Sequence, residues 1–196
     1  MVSRSAIRKE FIDICQRAFR LGMQVSTGGN ISARLDKDTF LVKPSGISLY
    51  DLRVEDLLVT GPSGQVLEGK GKPTKELEPH LAIYQARKDL GAIIHYHSPY
   101  ATSFAVLGRE IPLLTVHAKR ILKQIPIVPP AEEGSEHLTL SLREAFAEKN
   151  VRAALMAGHG IMAVGKGLRE AQNIAELVEE TTKIAFLSTL LSKNPP

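Results

Sequence analysis

The sequence predicts an α/β fold, a largely antiparallel sheet with helices on its faces. Three observations lead there. Apolar residues recur at helical spacing in several stretches, short apolar runs come in pairs around turn residues, and the strand pairs alternate with the helices along the chain. With 196 residues, 43% of them hydrophobic, and no internal repeat, low-complexity tract or linker, the chain reads as one domain over residues 1–196.

The elements follow in order. Ile7, Phe11, Ile14, Ala18 and Phe19 keep helical spacing and Gly22 is a stop, which predicts a helix over residues 4–21. "NISARL" and "TFLVKPSG" read as strands around the polar turn "DKD", and "DLLVTGPSGQVLEG" reads as a hairpin around Gly61–Gly64. The loop "EGKGKPTKE" leads into a helix carrying Leu77, Leu81 and Tyr84, followed by the strand "GAIIHYH" and a helix opening at Pro99. "IPLLTV" and "QIPIVP" read as strands, and residues 135–149 as a helix with Leu138, Leu142, Ala145 and Phe146 on one stripe. "RAALMAG" and "GIMAVG" form a strand pair around His159, and Ala171, Ile174, Ala175, Val178, Ile184 and Ala185 mark a last helix over residues 168–191.

Composition narrows the function. Cys15 is the one cysteine, so no internal disulfide forms, and the N-terminus mixes charge with apolar residues where a signal peptide needs an unbroken apolar stretch. A reducing, cytoplasmic setting is expected. No apolar run approaches the roughly 20 residues of a membrane helix. The net charge of +4 favours an anionic partner, but the 25 Lys and Arg are scattered and aromatic content is 5%, without the basic stripe or stacking platform that nucleic acid requires. A phosphorylated small molecule accounts for the sign of the charge.

Six histidines are present, and two of them, His95 and His97, lie one residue apart. On a strand, side chains two apart share a face, so the pair converges if "IIHYH" is a strand, with Tyr96 turned to packing on the other side. Two imidazoles make half a metal site, and a catalytic site needs a third ligand with one position left open. His159, between glycines in an apolar surround, supplies it, since glycine lets the backbone approach closely and an isolated buried ring is costly. The alternative is that His95 and His97 are exposed strand residues and His159 a turn residue; a third histidine between glycines favours metal. His80 follows Glu76 by four residues and could orient that acid on a helix. His137 reads as a solvated residue of a helix start, and His117 stays open.

Three loops, "STGGNIS", "KPSGIS" and "GKPTKE", match neither the Walker loop nor the dinucleotide fingerprint. Singly, each reads as a turn. Together they offer backbone amides, the hydroxyls of Ser45 and Thr74, the Asn30 amide and the Lys75 ammonium, a set suited to phosphate. Glu76 ends the third loop, where a carboxylate beside a metal-bound substrate can act as general acid or base.

In order and spacing, "STGGNIS", "KPSGIS", "GKPTKELEPHLAIY", "AIIHYHSPYATSFAVLGREIP" and "HGIMAVG" resemble the class II aldolase/adducin family, and within it the fuculose-phosphate aldolases and their relatives. The resemblance implies a three-layer αβα sandwich with a central, mostly antiparallel sheet, assembled as a homotetramer with active sites at subunit interfaces. It implies one zinc or other divalent transition metal per subunit, held by His95, His97 and His159, with Glu76 as catalytic acid/base and Gly29, Asn30, Ser45, Gly46, Thr74 and Lys75 cradling the substrate phosphate. The implied reaction is reversible cleavage of a ketose phosphate to dihydroxyacetone phosphate and an aldehyde, with the metal as Lewis acid. Three departures bear on the substrate. Lys75 replaces a serine, which looks more like the branch holding sugar-acid phosphate decarboxylases; "LLTVHAKRI" lacks a tyrosine that the aldolases lend to a neighbouring subunit; and the chain ends at Pro196 without their longer tail. A pentulose-phosphate 4-epimerase would carry aspartate at Glu76, and a non-enzymatic adducin-type module would lack the histidines.

Overall fold

A computed structural model of the chain describes residues 3–193. The elements are α1 (Arg4–Arg20), β1 (Asn30–Arg34), β2 (Phe40–Val42), a short 3-10 turn (Val54–Asp56), β3 (Leu58–Thr60), β4 (Val66–Glu68), α2 (Leu77–Ala86), β5 (Ala92–Tyr96), α3 (Pro99–Val106), α4 (Val116–Leu122), β6 (Ile127–Val128), α5 (Glu136–Ala145), β7 (Ala153–Met156), β8 (Gly160–Gly165) and α6 (Leu168–Lys193). The strands form one eight-stranded sheet in the order β4-β3-β2-β1-β5-β8-β7-β6. Every pairing is antiparallel except β6 with β7.

Helices cover both faces because the strands bury both faces. One core gathers Phe11, Ile14 and Ala18 of α1, Ala101 and Ala105 of α3, Leu122 of α4 and Ile174 and Val178 of α6 against Ile31, Ile94, Tyr96, Leu155 and Ile161. The other gathers Leu81 and Tyr84 of α2 and Leu138 and Leu142 of α5 against Val42, Ile93, Met156, Met162 and Val164. This is the predicted α/β sandwich with a central, mostly antiparallel sheet. Strand alternation sorts the chemistry too: Ile94 and Tyr96 go to the α1/α6 side, while Ile93 and His95 go to the α2/α5 side.

Ser3, Thr115 and Ser135 cap α1, α4 and α5, each hydroxyl accepting from a backbone N–H three residues on. Thr115 explains the one element that differs in kind from expectation. "IPLLTV" forms no strand: residues 111–114 are irregular and Val116 opens α4. The run has strand composition, but β6 already occupies the sheet edge beside β7 and the Thr115 cap diverts the chain into a helix. The strand expected in "QIPIVP" shrinks to residues 127–128, and the helix expected over 135–149 ends at Ala145. Among the described residues no helix is long and apolar enough to cross a membrane.

Candidate metal centre and active site

His95, His97 and His159 converge where β5 ends and β8 begins. His95 pairs in register with Met162 and with Asn30, which puts it mid-sheet between β8 and β1. His159 lies on the tight turn joining β7 to β8, and its two glycines serve different ends. Gly158 has φ +73°, the left-handed conformation that an L side chain resists, and open space beside it. Gly160 is needed for room: a Cβ there would stand 2.4 Å from the Tyr96 carbonyl oxygen and 2.9 Å from the His97 ring.

The three ring centroids are 4.6 to 4.9 Å apart, and one ligand nitrogen from each lies within 4.8 Å of the others. His95 Nδ1 donates to the Ile161 carbonyl at 2.8 Å, which leaves its Nε2 as a lone pair, 2.9 Å from His97 Nε2. Burial, and then the neighbouring imidazoles, hold His95 well below the usual histidine pKa, and the same causes lower His97. Neutral imidazoles whose lone pairs converge are the donor set of a transition-metal ion with an open position, so the residues fit a bound divalent metal. Gln24, 4% exposed, accepts from the His97 backbone N–H at 2.8 Å and donates to the Val25 carbonyl at 2.9 Å, tying His97 to the glycine loop that follows.

Glu76 ends the third loop, 4% exposed, against the histidines. Its Oε2 is 3.4 Å from His95 Nε2 and its Oε1 is 3.7 Å from His159 Nδ1. Asn30 Nδ2 donates to Glu76 Oε2 at 2.6 Å, while Oε1 has no hydrogen-bond partner. The Asn30 amide is thus turned toward the acid. The expectation that His80 orients Glu76 is not met by a hydrogen bond: His80 Nδ1 pairs with Ser32 Oγ at 2.8 Å and its Nε2 has no partner. Burial pushes the His80 pKa down to about 3. His137 is exposed near the start of α5, and His117 is exposed near the start of α4, beside Arg120.

A cavity of about 220 Å³ joins these groups to the loops, lined by Gly29, Asn30, Ser45, Thr74, Lys75, Glu76 and the three histidines. The second and third loops are stitched together by a Pro44–Pro73 bridge and by Ser45 N–H donating to the Lys72 carbonyl at 2.8 Å. Gly46 is not among the lining residues; at φ +82° it makes the turn behind Ser45. Four lining residues escaped the sequence reading as individual site groups: Thr27, Gly28, Lys43 and Glu133. Lys43 had a signal, a lysine closing the apolar run "TFLV". It is 2% exposed, its Nζ donates only to the carbonyls of Thr27 and Pro44, and burial lowers its pKa. With no carboxylate partner among the described residues, this ammonium leaves positive charge beside the glycine loop of the cavity. Glu133, in a polar loop, carried no such signal.

Residues 9–186 match the model of the Class II Aldolase and Adducin N-terminal domain family. An L-fuculose phosphate aldolase of Methanocaldococcus jannaschii is 36% identical over 186 residues, 95% of this chain and 99% of its own length. A 5-deoxy-D-ribulose 1-phosphate aldolase of Bacillus thuringiensis is 31% identical, covering 91% of this chain and 84% of its own length. Among solved structures, YgbL of Klebsiella pneumoniae, a candidate aldolase/epimerase/decarboxylase, superposes with a TM-score of 0.89 at 29% identity, covering 95% of this chain and 91% of its own.

Proposed function

The chain belongs to the class II aldolase and adducin N-terminal domain family, and from that premise we propose that it is a metal-dependent aldolase reversibly cleaving a ketose phosphate to dihydroxyacetone phosphate and an aldehyde. That it is an enzyme of the lyase type follows from the family and its aldolase relatives; the substrate and the metal are the proposal. One observation carries it. A buried carboxylate with an unpartnered oxygen stands against three convergent imidazoles, beside loops equipped for phosphate.

His95, His97 and His159 would hold the ion, zinc by preference among the metals that imidazoles accept, and the ion supplies Lewis acidity toward a carbonyl oxygen. The chain's own groups do the rest. The amides of Gly28 and Gly29, the Ser45 and Thr74 hydroxyls and the Lys43 and Lys75 ammoniums receive the phosphate. Asn30 holds one oxygen of Glu76, which leaves Oε1 to move the proton. In the condensing direction Oε1 takes a proton from the hydroxymethylene carbon of dihydroxyacetone phosphate, that carbon bonds to the aldehyde carbon as its C=O π bond opens, and the resulting alkoxide takes a proton from solvent. In the cleaving direction the hydroxyl beside the breaking bond gives its proton to solvent, the carbon–carbon bond breaks, the aldehyde leaves, and Glu76 returns a proton to the same carbon. L-fuculose 1-phosphate and 5-deoxy-D-ribulose 1-phosphate are the first substrates to try, since relatives are named for them. Exposed apolar side chains on α3, α4 and α6, among them Val106, Val116 and Leu191, support a homotetramer with sites completed between subunits. Cys15, buried and unpaired, accords with a cytoplasmic setting.

The second reading, a sugar-acid phosphate decarboxylase, rests on Lys75 and on the likeness to YgbL. Proton NMR of dihydroxyacetone phosphate in deuterated water separates the two. Loss of one hydroxymethylene proton signal with the metal-loaded protein, prevented by a chelator, supports the aldolase. No exchange with metal confirmed in place overturns it and directs the search to keto sugar-acid phosphates.

A further inference from the structure

The cavity has two chemically different ends. The Gly28–Asn30 loop abuts His97, where a Cβ on Gly28 would lie 3.2 Å from His97 Nδ1, and Lys43 stands beneath that loop. At His159 stands Glu133, its Oε1 3.6 Å from His159 Nε2 and its side chain 57% exposed. Among the described residues no lysine or arginine comes within 4.0 Å of that carboxylate; Lys75 lines the same cavity but does not pair with it.

Glu133 is held where it is. It lies in the loop between β6 and α5, and the next residue, Gly134, adopts φ +71° to bring the backbone against the third loop: a Cβ on Gly134 would stand 2.9 Å from the Lys75 carbonyl oxygen. One residue further, Ser135 caps α5 and its N–H donates to the Glu132 carbonyl at 3.1 Å. The carboxylate therefore faces the cavity from a segment fastened on both sides.

A phosphate dianion cannot rest against an unpaired carboxylate in a confined site, so it takes the lysine and amide end. The half of the substrate remote from phosphate then reaches past His159 to Glu133. An ionised carboxyl group only accepts hydrogen bonds. It suits a hydroxyl group, is indifferent to a methyl group, and repels a second carboxylate. We infer that Glu133 is a specificity-determining residue that selects an aldehyde half bearing a neutral hydroxyl group and rejects one bearing a carboxylate. This deepens the aldolase reading and rests on it: Lys75 alone would favour a doubly anionic substrate, and Glu133 opposes one.

Three two-carbon aldehydes of similar size make the test: glycolaldehyde, acetaldehyde and glyoxylate, each condensed with dihydroxyacetone phosphate by the metal-loaded full chain and by Glu133→Gln and Glu133→Ala. In Glu133→Gln the kcat/KM ratio of glycolaldehyde to glyoxylate falls by at least roughly fivefold, through a gain on glyoxylate. In Glu133→Ala the ratio of glycolaldehyde to acetaldehyde falls as well. Elemental analysis finds the wild-type metal content in both variants. A smaller change in the glyoxylate ratio overturns the inference, and so does loss of metal from Glu133→Gln, which would make Glu133 a ligand. Deuterium exchange by the wild-type protein separates the two failures: exchange with unaltered aldehyde ratios rejects the role of Glu133 alone, whereas absence of exchange removes the aldolase reading beneath it.

Discussion

Glu76→Gln is the sharpest perturbation because it changes charge and basicity while leaving shape almost intact. The side chain is 5% exposed, with Oε2 receiving the Asn30 amide at 2.6 Å and Oε1 unpartnered. A glutamine there must turn its carbonyl oxygen toward Asn30, since two amide donors cannot face each other. Its NH2 group then occupies the place of Oε1, 3.7 Å from His159 Nδ1, and cannot take up a proton. The whole general-base contribution is lost, about 10² to 10⁴-fold in rate, or about 2.7–5.4 kcal/mol at about 1.36 kcal/mol per tenfold. The assay is deuterium exchange into dihydroxyacetone phosphate, with metal content measured on the same samples. Exchange should fall by at least about 100-fold with metal retained. His97→Ala is the contrasting control: it removes one of three ligands, so metal and exchange vanish together. A glutamine variant that exchanges within about tenfold of wild type with metal bound would refute Glu76 as the base, and normal metal in His97→Ala would refute the site itself.

Lys43→Met should raise the KM for dihydroxyacetone phosphate by roughly 10 to 100-fold, the worth of one charge-assisted hydrogen bond, with kcat less affected; an unchanged KM in steady-state kinetics would remove Lys43 from the phosphate end. Gly160→Ala forces a Cβ to 2.4 Å from the Tyr96 carbonyl oxygen, so β5 and β8 must part. A loss of roughly 1–3 kcal/mol in urea unfolding is expected, together with weaker metal binding in competition with a chromogenic chelator. Acid sensitivity follows from His80, whose burial pushes its pKa down to about 3 from the usual 6.5 of a histidine. Between those values the unfolded chain binds the extra proton, so this contribution is fully present above about 6.5 and is lost as the pH falls toward 3. Between pH 7 and 5 it amounts to about 2 kcal/mol, with His95 acting in the same direction. Unfolding of wild type and His80→Gln at the two pH values should show the smaller acid loss in the variant.

Much of this was legible before any fold was known, wherever the signal is local. Period-two geometry put His95 and His97 on one face and Tyr96 on the other, and the strand obeys it, with Tyr96 buried and its hydroxyl donating to Gln172 at 2.8 Å. Helical periodicity found α1, α2, α5 and α6, because each buries one stripe on the sheet. Periodicity could not decide "IPLLTV": its composition suits a strand, but the Thr115 hydroxyl caps the following residues as α4 and the run pairs with no strand.

The sequence by itself determined the types of groups available: three imidazoles, one acid after a glycine-rich loop, and small polar residues where a backbone must come close. Only the tertiary structure decided how they divide the work. Antiparallel pairing of β5 with β8 and β1 brings His159 to His95 and His97 and sets Asn30 against Glu76, across separations of 64, 62 and 46 residues that no local pattern spans. It also buried Lys43 beneath the glycine loop and carried Glu133 to the His159 side of the cavity. Charge placement of that kind depends on which strands are neighbours, a property of the sheet as a whole and not of any segment within it.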